Sequence, residues 1–160
     1  MIPELTNELH LLNGFLLKSA LAIVCGGIIG VERELKRKSA GFRTNILICL
    51  GSCYFMEVSL LAAAVAGEGR PGDPGRVAAQ VVTGIGFLGA GTIIQSRGQI
   101  AGLTTAALIW SVASVGLLVG LAHYVLALIA TALIFLTLTI LGVFERRLLN
   151  KKIHPPESHH

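Results

Sequence analysis

Charge is scarce in this chain: Asp, Glu, Lys and Arg make up 14% of its 160 residues, against about 25% in soluble globular domains. That scarcity, with 53% apolar residues and a mean hydropathy of +0.74, excludes an ordinary water-soluble domain and points to an integral membrane protein. Cysteine is sparse too. Cys25, Cys49 and Cys53 all fall in apolar segments without metal-ligand or disulfide spacing, so they read as buried, inert thiols. No phosphate-binding loop, no His-rich ligand set within the apolar segments and no grouping of nucleophile, base and orienting residue can be drawn, so neither an enzyme nor a cofactor is expected. No internal repeat of the kind common in transporters is visible. No small-residue cleavage site follows the first apolar segment, and the chain is expected to stay whole.

What is present in quantity is long apolar runs. Five spans are expected, over Gly14 to Val31, Thr44 to Ala66, Arg76 to Ile94, Gly102 to Val119 and Ala122 to Phe144. Residues 1–13 place Ile2, Leu5, Leu9 and Leu12 on one face, which suits a short interfacial helix or an extension of the first span. Residues 14–144 then form an all-α polytopic bundle, with a basic tail at 145–160 whose Ser-His-His ending resembles an affinity-tag remnant. The fifth span is the most uniformly aliphatic and is expected to face lipid. Lys18, near the start of the first span, is placed to snorkel outward.

The segment 73–91 is the densest in glycine: Gly84, Gly86, Gly89 and Gly91 fall within eight residues. Asp73 is placed to cap the free amides of a helix that has Pro74 at its first position. Gln80, Thr83, Phe87 and Gly91 follow on one face. The two polar side chains beside glycine are either a functional surface or hydrogen-bonding glue between helices. The first span carries a stripe of Ser19, Ala22, Gly26 and Gly30 that continues to Arg33, and the fourth one of Thr104, Ala107, Ser111 and Ser114. Small residues at spacing four let helix backbones approach in lipid.

The net charge of +4 could suggest nucleic acid, but the basic residues flank apolar spans and no basic face interleaved with aromatics accompanies them, so the expected partner is the bilayer. Ten lie on one side: Arg33, Lys36, Arg37, Lys38, Arg43, Arg97, Arg146, Arg147, Lys151 and Lys152. Lys18, Arg70 and Arg76 are the three on the other. This asymmetry predicts an outside N-terminus and a cytoplasmic C-terminus.

Gly-Val-Glu-Arg-Glu (30–34), Ala-Gly-Phe-Arg-Thr (40–44), Asp-Pro-Gly-Arg-Val-Ala-Ala-Gln-Val-Val (73–82), Gly-Ile-Gly-Phe-Leu-Gly-Ala-Gly (84–91) and Gly-Leu-Thr-Thr-Ala-Ala-Leu-Ile-Trp (102–110) occur in order. Over about residues 10–145 the chain resembles the MgtC/SapB family of bacterial inner-membrane proteins. The resemblance implies a five-helix multi-pass domain with its N-terminus outside. It also implies links to growth at low magnesium, to survival of pathogens in macrophages, and to restraint of the F-type ATP synthase as a membrane partner. Members with those roles carry a cytoplasmic ACT-like domain after the spans. The chain stops soon after its last span, as a short SapB-type member or a piece of a longer protein would.

Two candidate sites stand out. Glu32 and Arg33, Arg43 and Thr44, and Thr104 and Thr105 cluster by topology at the cytoplasmic rim, as a site for an anion, a headgroup or a partner protein. The alternative is a structural ion pair of Glu32 with Arg43. Glu57 is expected near mid-membrane, where a carboxylate costs about 3 kcal/mol. It could bind a cation or carry protons, or sit protonated and donate a hydrogen bond. Trp110, inside a span, is expected to pack. The surplus of small-residue stripes points to a homodimer through Gly26 and Gly30, or through Gly84 and Gly91, with one compact protomer as the competing reading.

Overall fold

The computed structural model describes residues 2–65, 73–96 and 99–144, so Arg70, Arg97 and the tail 145–160 lie outside the described residues. Where the chain is apolar over many residues it is helical, since a helix satisfies its own backbone polar groups where lipid cannot. Five helices result: α1 (Ile2–Leu35), α2 (Phe42–Val65), α3 (Gly75–Ala90), α4 (Leu103–Gly120) and α5 (Tyr124–Leu136). α5 continues through a π-helical turn at Thr137–Leu141 into a last helical stretch over 142–144. The expected all-α bundle is present, and α1, α2, α4 and α5 are long and apolar enough to cross a membrane.

Boundaries differ from expectation in α1 and in α3. α1 runs unbroken from Ile2, so residues 2–13 extend the first helix. α3 stops at Ala90 rather than Ile94 and has 16 residues, or about 24 Å against a hydrocarbon core of about 30 Å. Instead of continuing it, Ile94–Ser96 (β1) pairs antiparallel with Gln99–Ala101 (β2). Gly102 closes this excursion at φ 91°, and a β-carbon there would lie 2.0 Å from the Thr92 carbonyl oxygen, so the turn requires glycine. At the other end of α3, the Asp73 carboxylate accepts the Gly75 amide at 2.8 Å, as a capping side chain should.

The helices alternate in direction. One end of the bundle carries the α1–α2 loop, the starts of α2 and α4 and the last turns of α5; it is called the loop end below. Glycine sets the closest approaches. A β-carbon on Gly26 would sit 2.7 Å from the Asn45 carbonyl oxygen of α2, and one on Gly116 of α4 would sit 2.2 Å from that of Cys49. The α1 stripe, including Ser19, Ala22, Gly30 and Arg33, is therefore buried, with its glycines pressed on α2. The fourth-span stripe was misplaced. Ala107 and Ser114 are exposed, Ser111 and Ser114 bond back to their own helix, and α4 packs through Thr105, Leu108, Val112, Val115, Gly116 and Gly120. Trp110 is 53% exposed and faces outward rather than packing inside. α5 buries only Ala127 and Thr131 over Tyr124–Leu136, in keeping with a lipid-facing helix.

Candidate functional site

α1 ends in a polar turn because Glu32, Arg33 and Lys36 follow directly on its apolar run. The stripe that buries Gly26 and Gly30 carries Arg33 inward with it, and Glu32 is buried beside it. Lys36, one turn on, pairs with the Glu32 carboxylate, while Arg33 Nη1 lies 3.7 Å from Glu32 Oε2. Neither Glu32 oxygen nor Arg33 Nε has an aligned hydrogen-bond partner. Two cations thus flank one buried carboxylate, leaving the cluster net positive and short of hydrogen bonds.

Neighbouring elements hold this cluster in place. Lys36 Nζ also donates to the Leu138 carbonyl at 3.2 Å, within the π-helical turn of α5, where widened helical geometry frees carbonyls from their usual partners. Asn45, fully buried, donates from Nδ2 to the carbonyls of Ala40 at 2.5 Å and Gly41 at 2.8 Å. It clamps a loop in which Arg37 and Ala40 both take positive φ. Ser39 Oγ donates to Thr105 Oγ1 at 3.3 Å, tying the loop to the start of α4. Glu34 accepts the Phe42 amide at 3.0 Å and so receives the start of α2.

Of the residues expected at this rim, Glu32, Arg33 and Thr105 are buried, Glu32 beside Arg33 and Thr105 against Ser39 of the loop, whereas Arg43, Thr44 and Thr104 are exposed. The expected pair of Glu32 with Arg43 is replaced by Glu32 with Lys36, because i,i+4 spacing on one helix places the two side chains side by side. Lys36 and Asn45 were missed. The signal for Asn45 was a lone amide at the head of an apolar run, four residues after a glycine.

Thr44 leads into a second feature, a groove of about 770 Å³ between α2 and α3. Leu47, Gly51 and Phe55 line it on one side and Gln80, Gly84 and Leu88 on the other, with Thr44 and Thr92 at its loop end. It exists because α3 rests on α4, where a Gly89 β-carbon would meet the Ala106 carbonyl oxygen at 3.4 Å. Near its start α3 is tied to α2 by a hydrogen bond from Ser59 to the Pro74 carbonyl at 2.9 Å. Thr83 bonds back to Ala79 at 3.1 Å and is exposed, so it does not glue helices together. Gly84 would meet nothing within 4 Å, and Gly91 is exposed.

Glu57 lies past the middle of α2, 15 residues from Phe42 and eight from Val65, about 22 and 12 Å respectively, so it is nearer the end opposite the loop. Lys18 does not snorkel away. Its ammonium pairs with the Glu57 carboxylate and donates to the Gly120 carbonyl at 3.0 Å, joining α1, α2 and α4. About 21 Å of α1 separates this pair from Glu32. Between them lie Cys25, Ile29, Cys49, Val112 and Val115, all fully buried.

The MgtC family model matches residues 20–147. The chain is 43% identical over 142 residues to a protein of Escherichia coli K12 named "Putative magnesium transporter YhiD", covering 88% of this chain and 66% of that protein. It is 41% identical over 150 residues to an uncharacterized protein of Haemophilus influenzae, covering 91% and 62%. Protein MgtC of Salmonella typhimurium LT2 is 40% identical over 127 residues, covering 79% and 52%. The chain thus spans between about half and two thirds of the length of these relatives. No solved structure matches it.

Proposed function

This chain belongs to the MgtC family, and from that membership we propose that it is a regulatory protein of the bacterial inner membrane in magnesium or envelope homeostasis. It acts by contact with other membrane proteins rather than by catalysis or by carrying the ion. Its loop end faces the cytoplasm, in line with the basic residues gathered there. The F-type ATP synthase is a candidate partner through the family resemblance.

The observation that carries this reading is the separation of the ionisable groups. Two clusters, at opposite ends of the bundle, are divided by a fully buried apolar core, and each carboxylate already faces a cation. A divalent ion crossing one protomer would have to give up its hydration, and among the described residues both carboxylates of these clusters are already paired; Mg²⁺ dehydrates reluctantly. Contact surfaces, by contrast, are plentiful. The α1 stripe is occupied by α2, so a second copy or another membrane protein would meet the outer side of α3, where Gly86 is open and Phe87 is 81% exposed.

Transport is the second reading, favoured by the name of the E. coli relative and by Glu57. Magnesium influx into liposomes holding only this protein decides between them. The expected result is influx equal to that of protein-free vesicles. Influx above that level, abolished by Glu57→Gln, reverses the assignment.

A further inference from the structure

The α2–α3 groove calls for an occupant. It is open to the side and, along Thr44 to Phe55, about 16 Å long. Its volume of about 770 Å³ falls within the range of small-ligand sites, about 300–1,000 Å³. The wall is apolar along most of that length, so water has too few partners to fill it. In a bilayer the group at hand is a lipid chain.

The loop end of the groove differs from the rest. Thr44 and Thr92 line it there. Arg43, Leu47 and Gly51 fall at i, i+4 and i+8, so Arg43 continues the groove stripe of α2 one turn beyond Leu47. It is exposed and has no acidic partner among the described residues. The carboxylate that begins this segment, Glu34, is engaged by the Phe42 amide. Arg37 and Lys38, also exposed, add positive charge to the same loop. A planar guanidinium above an apolar trough matches a phosphate above a hydrocarbon chain.

We infer that the groove between α2 and α3 seats an acyl chain of an anionic phospholipid whose phosphate is held by Arg43. Thr44 donates its hydroxyl to the ester region, and the chain lies along Leu47, Gly51 and Gly84. This rests on the membrane setting and the groove, not on the regulatory role proposed above. A protein shown to conduct magnesium could hold the same lipid.

Native mass spectrometry of the purified full chain, with phosphatidylglycerol and phosphatidylcholine of identical chains as probes, tests it. One phosphatidylglycerol per chain is expected to survive activation that strips phosphatidylcholine. Arg43→Ala should weaken phosphatidylglycerol retention by about fivefold, the effect of one basic residue near a charged lipid, and leave phosphatidylcholine unchanged. Gly84→Leu, and separately Gly51→Leu, should remove both lipids, because added side chains have open space to fill. Equal retention of the two lipids by the wild type overturns the inference, as does a preference unchanged by Arg43→Ala. So does a disulfide between two copies of Gly84→Cys, since that places a second copy in the groove. Arg43 is exposed, so its variant decides the matter even if both filled variants fail to fold.

Discussion

Lys18 and Glu57, 39 positions apart in sequence, form an ion pair across the α1–α2 interface, and the same ammonium donates to the Gly120 carbonyl at 3.0 Å. Their side chains are 16% and 19% exposed, so removing one leaves a poorly solvated charge behind. Glu57→Leu or Lys18→Met alone is expected to destabilise the protein by about 3 kcal/mol, at the low end for breaking a buried pair. The double variant Lys18→Met/Glu57→Leu should recover most of that loss. Thermal unfolding in detergent, arranged as a double-mutant cycle, checks this; additive losses would show that the pair is not coupled.

Glycine is expected to matter by contact, not by number. Gly26→Ala drives a β-carbon into the Asn45 carbonyl oxygen at 2.7 Å, and such overpacking costs about 1–3 kcal/mol. Gly84→Ala meets nothing within 4 Å and should fall within about 0.5 kcal/mol of the wild type. Melting temperatures of the two variants in one detergent give the comparison; equal shifts would contradict the packing described here.

These two glycines also show what could be read from sequence. The helical class, and the four helices long enough to span, followed from apolar run length alone, because a bilayer leaves the backbone few alternatives. The α1 stripe was legible as a packing face because spacing four is a property of one helix. Which helix it would meet was not legible, since that depends on the path of the chain in three dimensions. The same limit hid the partner of Lys18. For the rim, Glu32 and Arg33 could be named from sequence, but the choice of Lys36 over Arg43 as partner turned on which side chains the buried α1 face carries with it. The early end of α3 escaped because Ile93 and Ile94 read as a continuing apolar helix, while the Gly91–Thr92 turn and Gly102 divert the chain into a hairpin.

Lys36 is expected to steady the π-helical turn of α5 from outside. Its ammonium donates to the Leu138 carbonyl at 3.2 Å and also faces the Glu32 carboxylate. Lys36→Met removes both contacts, leaving a carbonyl without its donor and Glu32 with Arg33 alone. Amide hydrogen exchange over 137–144 should accelerate, while exchange over 103–120 stays unchanged. Equal acceleration in both helices would mean that the variant loosens the whole bundle instead.

Asn45 makes the last case, because its effect can be separated from that of the charges it sits beside. Its amide donates to the carbonyls of Ala40 and Gly41 from a fully buried position. Asn45→Ala leaves the Ala40 carbonyl without its donor and the Gly41 carbonyl with only the backbone amide of residue 45, and it opens a small void, with an expected loss of about 1–3 kcal/mol. Ala40 itself sits at φ 57°, a left-handed conformation that costs a residue with a β-carbon about 1–2 kcal/mol. Ala40→Gly should relieve that strain, less about 0.5–1 kcal/mol for the added freedom of the unfolded chain. A small net gain in stability is therefore expected. The two substitutions act on the same turn with opposite sign. If Ala40→Gly in the Asn45→Ala background restores a good part of the lost stability, the amide's role is to hold the strained turn closed. If the double variant is no better than Asn45→Ala alone, Asn45 acts by filling the α1–α2 contact, and the turn needs no clamp.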